Sequence, residues 1–223
     1  MINPERVFNE IFNDKQILEK LAITALLSFA VLLFPIGFIA LAALWGYQLE
    51  IMQNVRDGMP VALPRWTNFG EKINTGVGLL IAGTIYNLPN IIGVCLLTTI
   101  FNANSGLFAV IAVCCCLFPV LLLINLITVP LQVVGTVRFA ETRRVESFFR
   151  FTELFDIIRA NTTLLFQWWL WATLANVVIG VLGSAIPCIG WIFTAALLVP
   201  VHGHLMGQVA AQLGPSKRKI QTI

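Results

Sequence analysis

Hydrophobic positions in this chain come in long blocks divided by short polar stretches, and the blocks set the elements to expect. All 25 charged side chains fall in four stretches, 5–20, 50–72, 138–159 and 217–219. The uncharged runs between them are 29 residues (21–49), 65 residues (73–137) and 57 residues (160–216) long. A helical crossing takes about 20 apolar residues to pass about 30 Å of hydrocarbon, so each of the two longer runs should hold two crossings and a turn. Asn102-Ala103-Asn104-Ser105-Gly106 is the turn expected in the first, and Ser184-Ala185-Ile186-Pro187-Cys188-Ile189-Gly190 in the second. The run 21–49 is too long for one crossing and too short for two full ones. Borrowing from its flanks gives two short helices, 18–34 and 36–52, joined at Pro35-Ile36-Gly37; one tilted helix kinked at Pro35 is the alternative. The echo between Phe34-Pro35-Ile36-Gly37-Phe38 and Ile186-Pro187-Cys188-Ile189-Gly190-Trp191 favours the hairpin. The expected fold is all-α, a polytopic transmembrane helical bundle of about six short helices in three hairpins, with amphipathic interfacial helices.

Composition agrees with that pattern. The chain is 58% hydrophobic and 11% charged, with mean hydropathy +0.86. An average soluble domain is roughly 25% charged, so this one has too little charge to cover a water-facing surface. Three hairpins bring every charged stretch to one face, and the four stretches carry 3, 3, 5 and 3 basic residues. The positive-inside rule then makes that face cytoplasmic, termini included, in a cell (inner) membrane. A five-crossing arrangement would put residues 1–20 outside, which the rule opposes only weakly because three basic and four acidic groups lie there. No basic region precedes the first apolar run, so a cleaved signal peptide is not expected. The whole chain, 1–223, reads as one integral membrane domain: an N-terminal amphipathic helix (1–17), the bundle (18–213) and a basic tail (214–223).

The charged stretches carry structure of their own. Asn3-Pro4 is a helix start, a capping side chain followed by proline at the first helical position, and Val7, Phe8, Ile11 and Phe12 recur at helical spacing. Asp14 is placed to cap the first crossing. Over 138–161, Val145, Phe148, Phe151, Phe155 and Ile158 should share one face opposite Arg143, Arg144, Glu146, Arg150 and Glu153, with Glu146 and Arg150 as an i,i+4 pair. Such a basic helix lies in the headgroup plane, against a partner, or under its own bundle. Trp66, beside Leu63-Pro64-Arg65, suits the membrane–water interface, and Asn68 with Glu71 resembles a capping box.

Gly46-Tyr47 at the end of an apolar segment is followed by Leu63-Pro64-Arg65-Trp66 and then by Tyr86-Asn87-Leu88-Pro89. With Arg138-Phe139-Ala140-Glu141-Thr142, Asn161 and the start Phe12-Asn13-Asp14, this order resembles an uncharacterised prokaryotic membrane family, domain-of-unknown-function family 4013, over most of residues 8–212. The resemblance implies a polytopic membrane protein and brings no activity, ligand or cofactor with it. Gly46, Tyr47, Leu63, Pro64 and Trp66 stand out as its interfacial motif.

Candidate chemistry is sparse. No paired-carboxylate, nucleophile-elbow or phosphate-loop pattern occurs, the acids alternate with bases as on solvated faces, and Gly76-Val77-Gly78 reads as close helix packing. His202 and His204 stand about 200° apart on a helix and cannot both face one metal, although either could serve a haem or pigment as an axial ligand. Cys114-Cys115-Cys116, Cys95 and Cys188 show no metal spacing and read as small apolar side chains in the core. The informative polar groups are intramembrane amides: Asn87 and Asn90 around Pro89, Asn125 and Gln132 near Pro130, Asn176 and Gln208. An amide in hydrocarbon needs a partner. Asn87, Asn90, Asn125 and Asn176 are therefore either a polar cavity for a small ligand or headgroup or interhelical hydrogen bonds. Trp168-Trp169-Leu170-Trp171 reads as an anchor belt or a helix-contact face.

These readings point to a non-enzymatic scaffold or accessory subunit of a membrane complex, without cofactor or metal. Its partners would be the lipid bilayer and other membrane subunits or a second copy, with no nucleic acid. The candidate partner or lipid face is Phe148, Phe151, Phe155, Arg143, Arg144 and Arg150. A small transporter or lipid-binding protein built on the asparagines is the competing reading.

Overall fold

The computed structural model describes residues 1–103, 106, 110–111, 113–185 and 190–213. Eight α-helices and no strands are found among them: α1 Pro4–Phe12, α2 Ile17–Ala30, α3 Ile36–Asp57, α4 Phe69–Ala103, α5 Phe118–Thr142, α6 Phe151–Ala160, α7 Thr162–Ser184 and α8 Gly190–Leu213. A π-helical turn, Val113–Leu117, leads into α5, and a 3-10 turn, Val145–Phe149, lies between α5 and α6. The basic tail, Asn104 and Ser105 of the expected turn at 102–106, and residues 186–189 of the second expected turn, Pro187 and Cys188 included, lie outside the described residues.

Four stretches are long and apolar enough to cross a membrane: Phe69–Ile100, Val113–Thr142, Thr162–Ser184 and Gly190–Leu213. The run 21–49 forms two helices that pack on each other, α2 and α3, with the break over 31–35. Neither meets the same test. At 14 residues α2 rises about 21 Å, short of a hydrocarbon core, and the second half of α3 carries Gln48, Glu50, Gln53, Asn54, Arg56 and Asp57. Length and apolarity therefore support four crossings where six were expected.

The helix ends follow local chemistry. Asn3 caps α1, its side-chain oxygen accepting from the Arg6 amide at 3.2 Å, and Val7 and Ile11 are buried while Phe8 and Phe12 stay exposed. Gly58 ends α3 in the left-handed region that glycine enters without steric cost. Two expected caps differ. Asp14 accepts from the Gln16 amide, one residue before α2. Asn68 has φ 53, and its backbone carbonyl, in place of its side chain, receives the Glu71 and Lys72 amides.

The bundle is organised around α3, which packs along both α4 and α8. Its crossing with α4 brings two backbones together at paired small residues. A Cβ on Gly46 would collide with the Lys72 carbonyl, and a Cβ on Gly76 would collide with the Ala42 carbonyl. Ala42 and Gly46 on α3 are four residues apart, the spacing by which small residues let membrane helices approach; on α4 they meet Gly76 and the backbone of Lys72. The close packing expected at Gly76-Val77-Gly78 is therefore present, with Gly78 against the Phe139 ring.

A helix that is apolar all round gives no sign of which face turns inward, and several expectations fail for that reason. Cys95, Cys114, Cys115 and Cys116 are all exposed on the outside of the bundle and are not core residues. Trp66 is 8% exposed, so it belongs to the interior and not to an interfacial belt. In the tryptophan cluster Trp168 is buried, Trp171 half-buried and Trp169 exposed. Nor is 145–158 one amphipathic helix. The 3-10 turn rotates Phe148 into the core, at 1% exposure, and leaves Phe151 and Phe155 outside. Arg150 pairs with Glu153 at 3.8 Å rather than with Glu146.

Candidate functional site

Three groups of residues singled out by the sequence can be placed. In the first, Tyr47 at mid-α3 stacks on Trp66 with ring centroids 4.1 Å apart. The Trp66 indole N–H donates to the Lys20 carbonyl at 3.1 Å, and the Lys20 ammonium donates to the Leu63 carbonyl at 2.7 Å and to Asp14 at 2.6 Å. Gly46 lets the start of α4 lie against α3, where the Lys72 ammonium meets Glu50 at 2.6 Å and the Thr67 carbonyl at 2.8 Å. Gly46, Tyr47, Leu63, Pro64 and Trp66 therefore form one knot that fastens α2, the 58–68 elbow and α4 to α3. Three of the charges here, Asp14, Lys20 and Lys72, are not on solvated faces. Asp14 and Lys20 are each 5% exposed at the side chain, and a buried ion pair holds only when its remaining polar atoms are matched. The knot borders a cleft of 940 Å³ lined by Asp14, Lys20, Glu50 and Arg65 among others.

In the second group, Asn87, Asn90 and Asn125 meet. The Asn90 amide donates to Asn125 Oδ1 at 3.0 Å, and Asn125 returns the bond to Asn90 Oδ1 at 2.7 Å. Asn87 donates to the Gly83 carbonyl at 2.8 Å, and Asn125 also donates to the Leu121 carbonyl at 2.7 Å. This is a clasp between α4 and α5, with both amides matched across the interface. Asn176 does not join it: its Nδ2 donates to the Ala172 carbonyl at 2.8 Å and lies 3.1 Å from His202 Nε2.

The third group, the expected partner face, divides. Phe148 is core; Tyr86 donates to its carbonyl, and a Cβ on Gly135 would strike its ring. Arg143 ends α5 in the left-handed region at φ 55 and donates to Thr75 at 2.9 Å and Gln53 at 3.4 Å, tying α5 to α4 and α3. Phe151, Phe155, Arg144 and Arg150 remain exposed.

His204 is wholly buried, with Nε2 2.8 Å from the Glu10 carboxylate and Nδ1 3.3 Å from the Gln208 amide. Gln208 also accepts from the Asn3 amide at 2.7 Å and donates to the Asn3 carbonyl at 2.9 Å. One edge of α8 thus clamps α1. Burial pushes the Glu10 carboxyl up, but hydrogen bonds from Arg6 and His204 outweigh it and hold the group below the usual glutamate range.

The sequence did not indicate a partly open chamber of 370 Å³ lined by α3, α4, α5, α7 and α8 together with the 3-10 turn. Its polar lining is Gln48, Gln132, Thr136 and His202, and its apolar walls include Trp45, Trp168 and Met206. Asn87, Asn90 and Asn125 are not among its lining residues. Gln132 and His202 were visible as polar residues in apolar runs; that they would face Gln48 across three helices was not. Among the described residues no cluster of three or more metal-ligating side chains occurs.

These features define a multi-pass, all-α membrane protein whose polar groups fasten helices to one another around a small internal chamber. The model of a family described as protein of unknown function, DUF4013, matches residues 21–188, and the chain belongs to that family. No curated protein and no solved structure matches the chain.

Proposed function

We propose that this protein is a non-enzymatic scaffold or accessory subunit of a membrane complex. In this reading it lies in the cell membrane of a prokaryote, with α4, α5, α7 and α8 crossing it as two hairpins, α2–α3 forming a third, shorter hairpin, and the elbows and both termini cytoplasmic. The observation that carries it is α6. Leu154 anchors one side of this short helix in the core, while Phe151 and Phe155 stand outside beside Arg150. Large aromatics next to an arginine, left uncovered on an anchored helix, suit contact with a second protein. The buried Asp14 and the partly exposed Glu10 are engaged with Lys20, Arg6 and His204 as fasteners, which also favours a structural over a catalytic role. In mild detergent at native expression the protein should migrate with other polypeptides or as an oligomer, and Phe151→Asp with Phe155→Asp should release it. A monodisperse monomer from wild type refutes the reading. Cysteine labelling at Asn3 and Met59 in intact and permeabilised cells tests the topology; accessibility at the two sites from different compartments refutes the three hairpins.

A second reading, a small transporter or lipid-binding protein, draws support from the chamber. Because Asn87, Asn90 and Asn125 are mutually bonded, their replacement by leucine should lower thermal stability and leave any ligand bound in the chamber.

A further inference from the structure

The chamber combines two features that do not sit together in an empty space. Its walls are mostly apolar, yet several polar side chains around it have hydrogen-bonding capacity that the protein leaves unused. The Gln132 side chain makes no hydrogen bond among the described residues, and Gln48 makes only a 3.5 Å contact from its N–H to the Met206 sulfur. The Trp168 indole N–H is buried without a partner. These groups come from α3, α5 and α7 and meet only here. A buried N–H without a partner, as at Trp168, is disfavoured, and with the half-buried Gln48 and Gln132 carboxamides beside it the arrangement is suited to an occupant that brings a donor and an acceptor.

Size and charge restrict that occupant. At 370 Å³ the space equals the liquid volume of about twelve waters at roughly 30 Å³ each, and it lies within the range of small-molecule sites. No Lys, Arg, Asp or Glu lines it, so an ionic ligand would be buried without a counter-charge. Indole and methionine walls from Trp45, Trp168 and Met206 suit an apolar body.

We propose that the chamber binds one uncharged amphiphile, with a hydroxyl or amide head held by Gln48, Gln132 and the Trp168 N–H and an apolar body against Trp45 and Met206. This rests on the ligand-binding reading above. Because Gln132 holds nothing in the fold, Gln132→Leu removes the head contact without removing an internal bond, and Trp168→Phe removes the indole donor while keeping an aromatic wall.

The probe is a photoactivatable octanol carrying a diazirine, added to the full-length protein in phosphatidylcholine nanodiscs, with adducts mapped by peptide mass spectrometry. Adducts should saturate on the segments around Trp45–Met52, Gln132–Thr136 and Trp168. Labelling there should fall at least fivefold in both Gln132→Leu and Trp168→Phe, with gel-filtration profiles unchanged. Competition by monooleoylglycerol identifies a bilayer source of the amphiphile, and competition by benzyl alcohol alone an aqueous one; either supports the proposal. Chamber labelling that persists unchanged in both variants, or that a photoactivatable phosphatidylglycerol gives equally well, overturns the ligand class and leaves the ligand-binding reading standing. If neither probe labels the chamber above the lipid-facing surface, both fall. In that case Gln132→Leu should also raise the melting temperature, because it removes an unmatched amide.

Discussion

The crossing of α3 and α4 allows the same substitution to be made twice in one helix with opposite expected signs. Gly76→Ala adds a methyl where the Ala42 carbonyl already lies, whereas Gly70→Ala adds one into open space, with nothing within 4 Å. Replacing glycine by alanine inside a helix gains roughly 0.5–1 kcal/mol of conformational entropy, and at Gly70, in the first turn of α4, the gain is at the lower end of that range. At Gly76 the same gain is opposed by a backbone oxygen that cannot rotate aside. The added Cβ would lie 1.7 Å from the Ala42 oxygen, so restoring ordinary contact near 3.5 Å requires the helices to part by about 1.8 Å, and a gap of about 1 Å already forfeits up to half of each contact's attraction. Overpacking of this kind costs about 1–3 kcal/mol, leaving Gly76→Ala destabilised by about 1–2 kcal/mol after the helix-propensity gain. Thermal unfolding in one detergent, followed by tryptophan fluorescence, should place Gly70→Ala at or slightly above wild type and Gly76→Ala clearly below it. The partner change Gly46→Ala should lower stability too. The double variant should lose less than the sum, because helices already pushed apart at one contact have room at the other. A Gly76→Ala protein as stable as Gly70→Ala refutes the backbone approach, and with it the account of why Ala42 and Gly46 on α3 face Gly76 on α4.

Three other expectations follow from the site. Asp14→Ala should cost about 3–5 kcal/mol by leaving the buried Lys20 ammonium unpaired, whereas Asp14→Leu with Lys20→Met should recover most of it; equal losses in a denaturant titration would refute the pairing. Asn90→Leu and Asn125→Leu should show a coupling of about 0.6–1.7 kcal/mol in a double-mutant cycle, and strict additivity would mean that the clasp is absent. Glu10 titrates in the folded state below its unfolded value, so its contribution to docking α1 is complete above the unfolded value and is lost as pH falls through the lower folded one. Hydrogen exchange of α1 amides should therefore quicken on acidification through that window, with Glu10→Gln removing the dependence; the same acid profile in Glu10→Gln would refute the assignment.

Local signals in the chain were read correctly where the physics is local. Asn3-Pro4 opens α1, the uncharged runs become long helices, and glycines at close spacing mark a tight crossing. The sequence is silent on rotation about the helix axis. A soluble helix shows which side is inward by having a polar side, but α4, α5 and α7 are apolar all round, so nothing in 113–117 indicated that three cysteines face outward. Phe148 was misplaced for a different reason: a five-residue 3-10 turn changes the angular step between side chains, and the stripe drawn from Val145 to Ile158 assumed a constant one. Pairings such as Lys20 with Leu63, or Asn90 with Asn125, join residues tens of positions apart and depend on how helices are arranged, which periodicity does not encode. Trp66 suits an interface by composition, but it ended in the interior because Tyr47 offered a ring and Lys20 a carbonyl.

The helix α2 is inverted relative to a surface helix in water: Lys20, Thr24 and Ser28 are buried, and Leu18, Leu26 and Phe29 are exposed. Thr24 and Ser28 return their hydroxyls to carbonyls one turn back, so only Lys20 depends on other parts of the chain, through Asp14 and Leu63. During biogenesis such a segment has few apolar residues to commit itself to the bilayer, and its ammonium, though made together with its counter-charge Asp14, lacks its second acceptor until the elbow brings the Leu63 carbonyl. The final hydrogen bonding of this helix therefore waits on a residue 43 positions downstream.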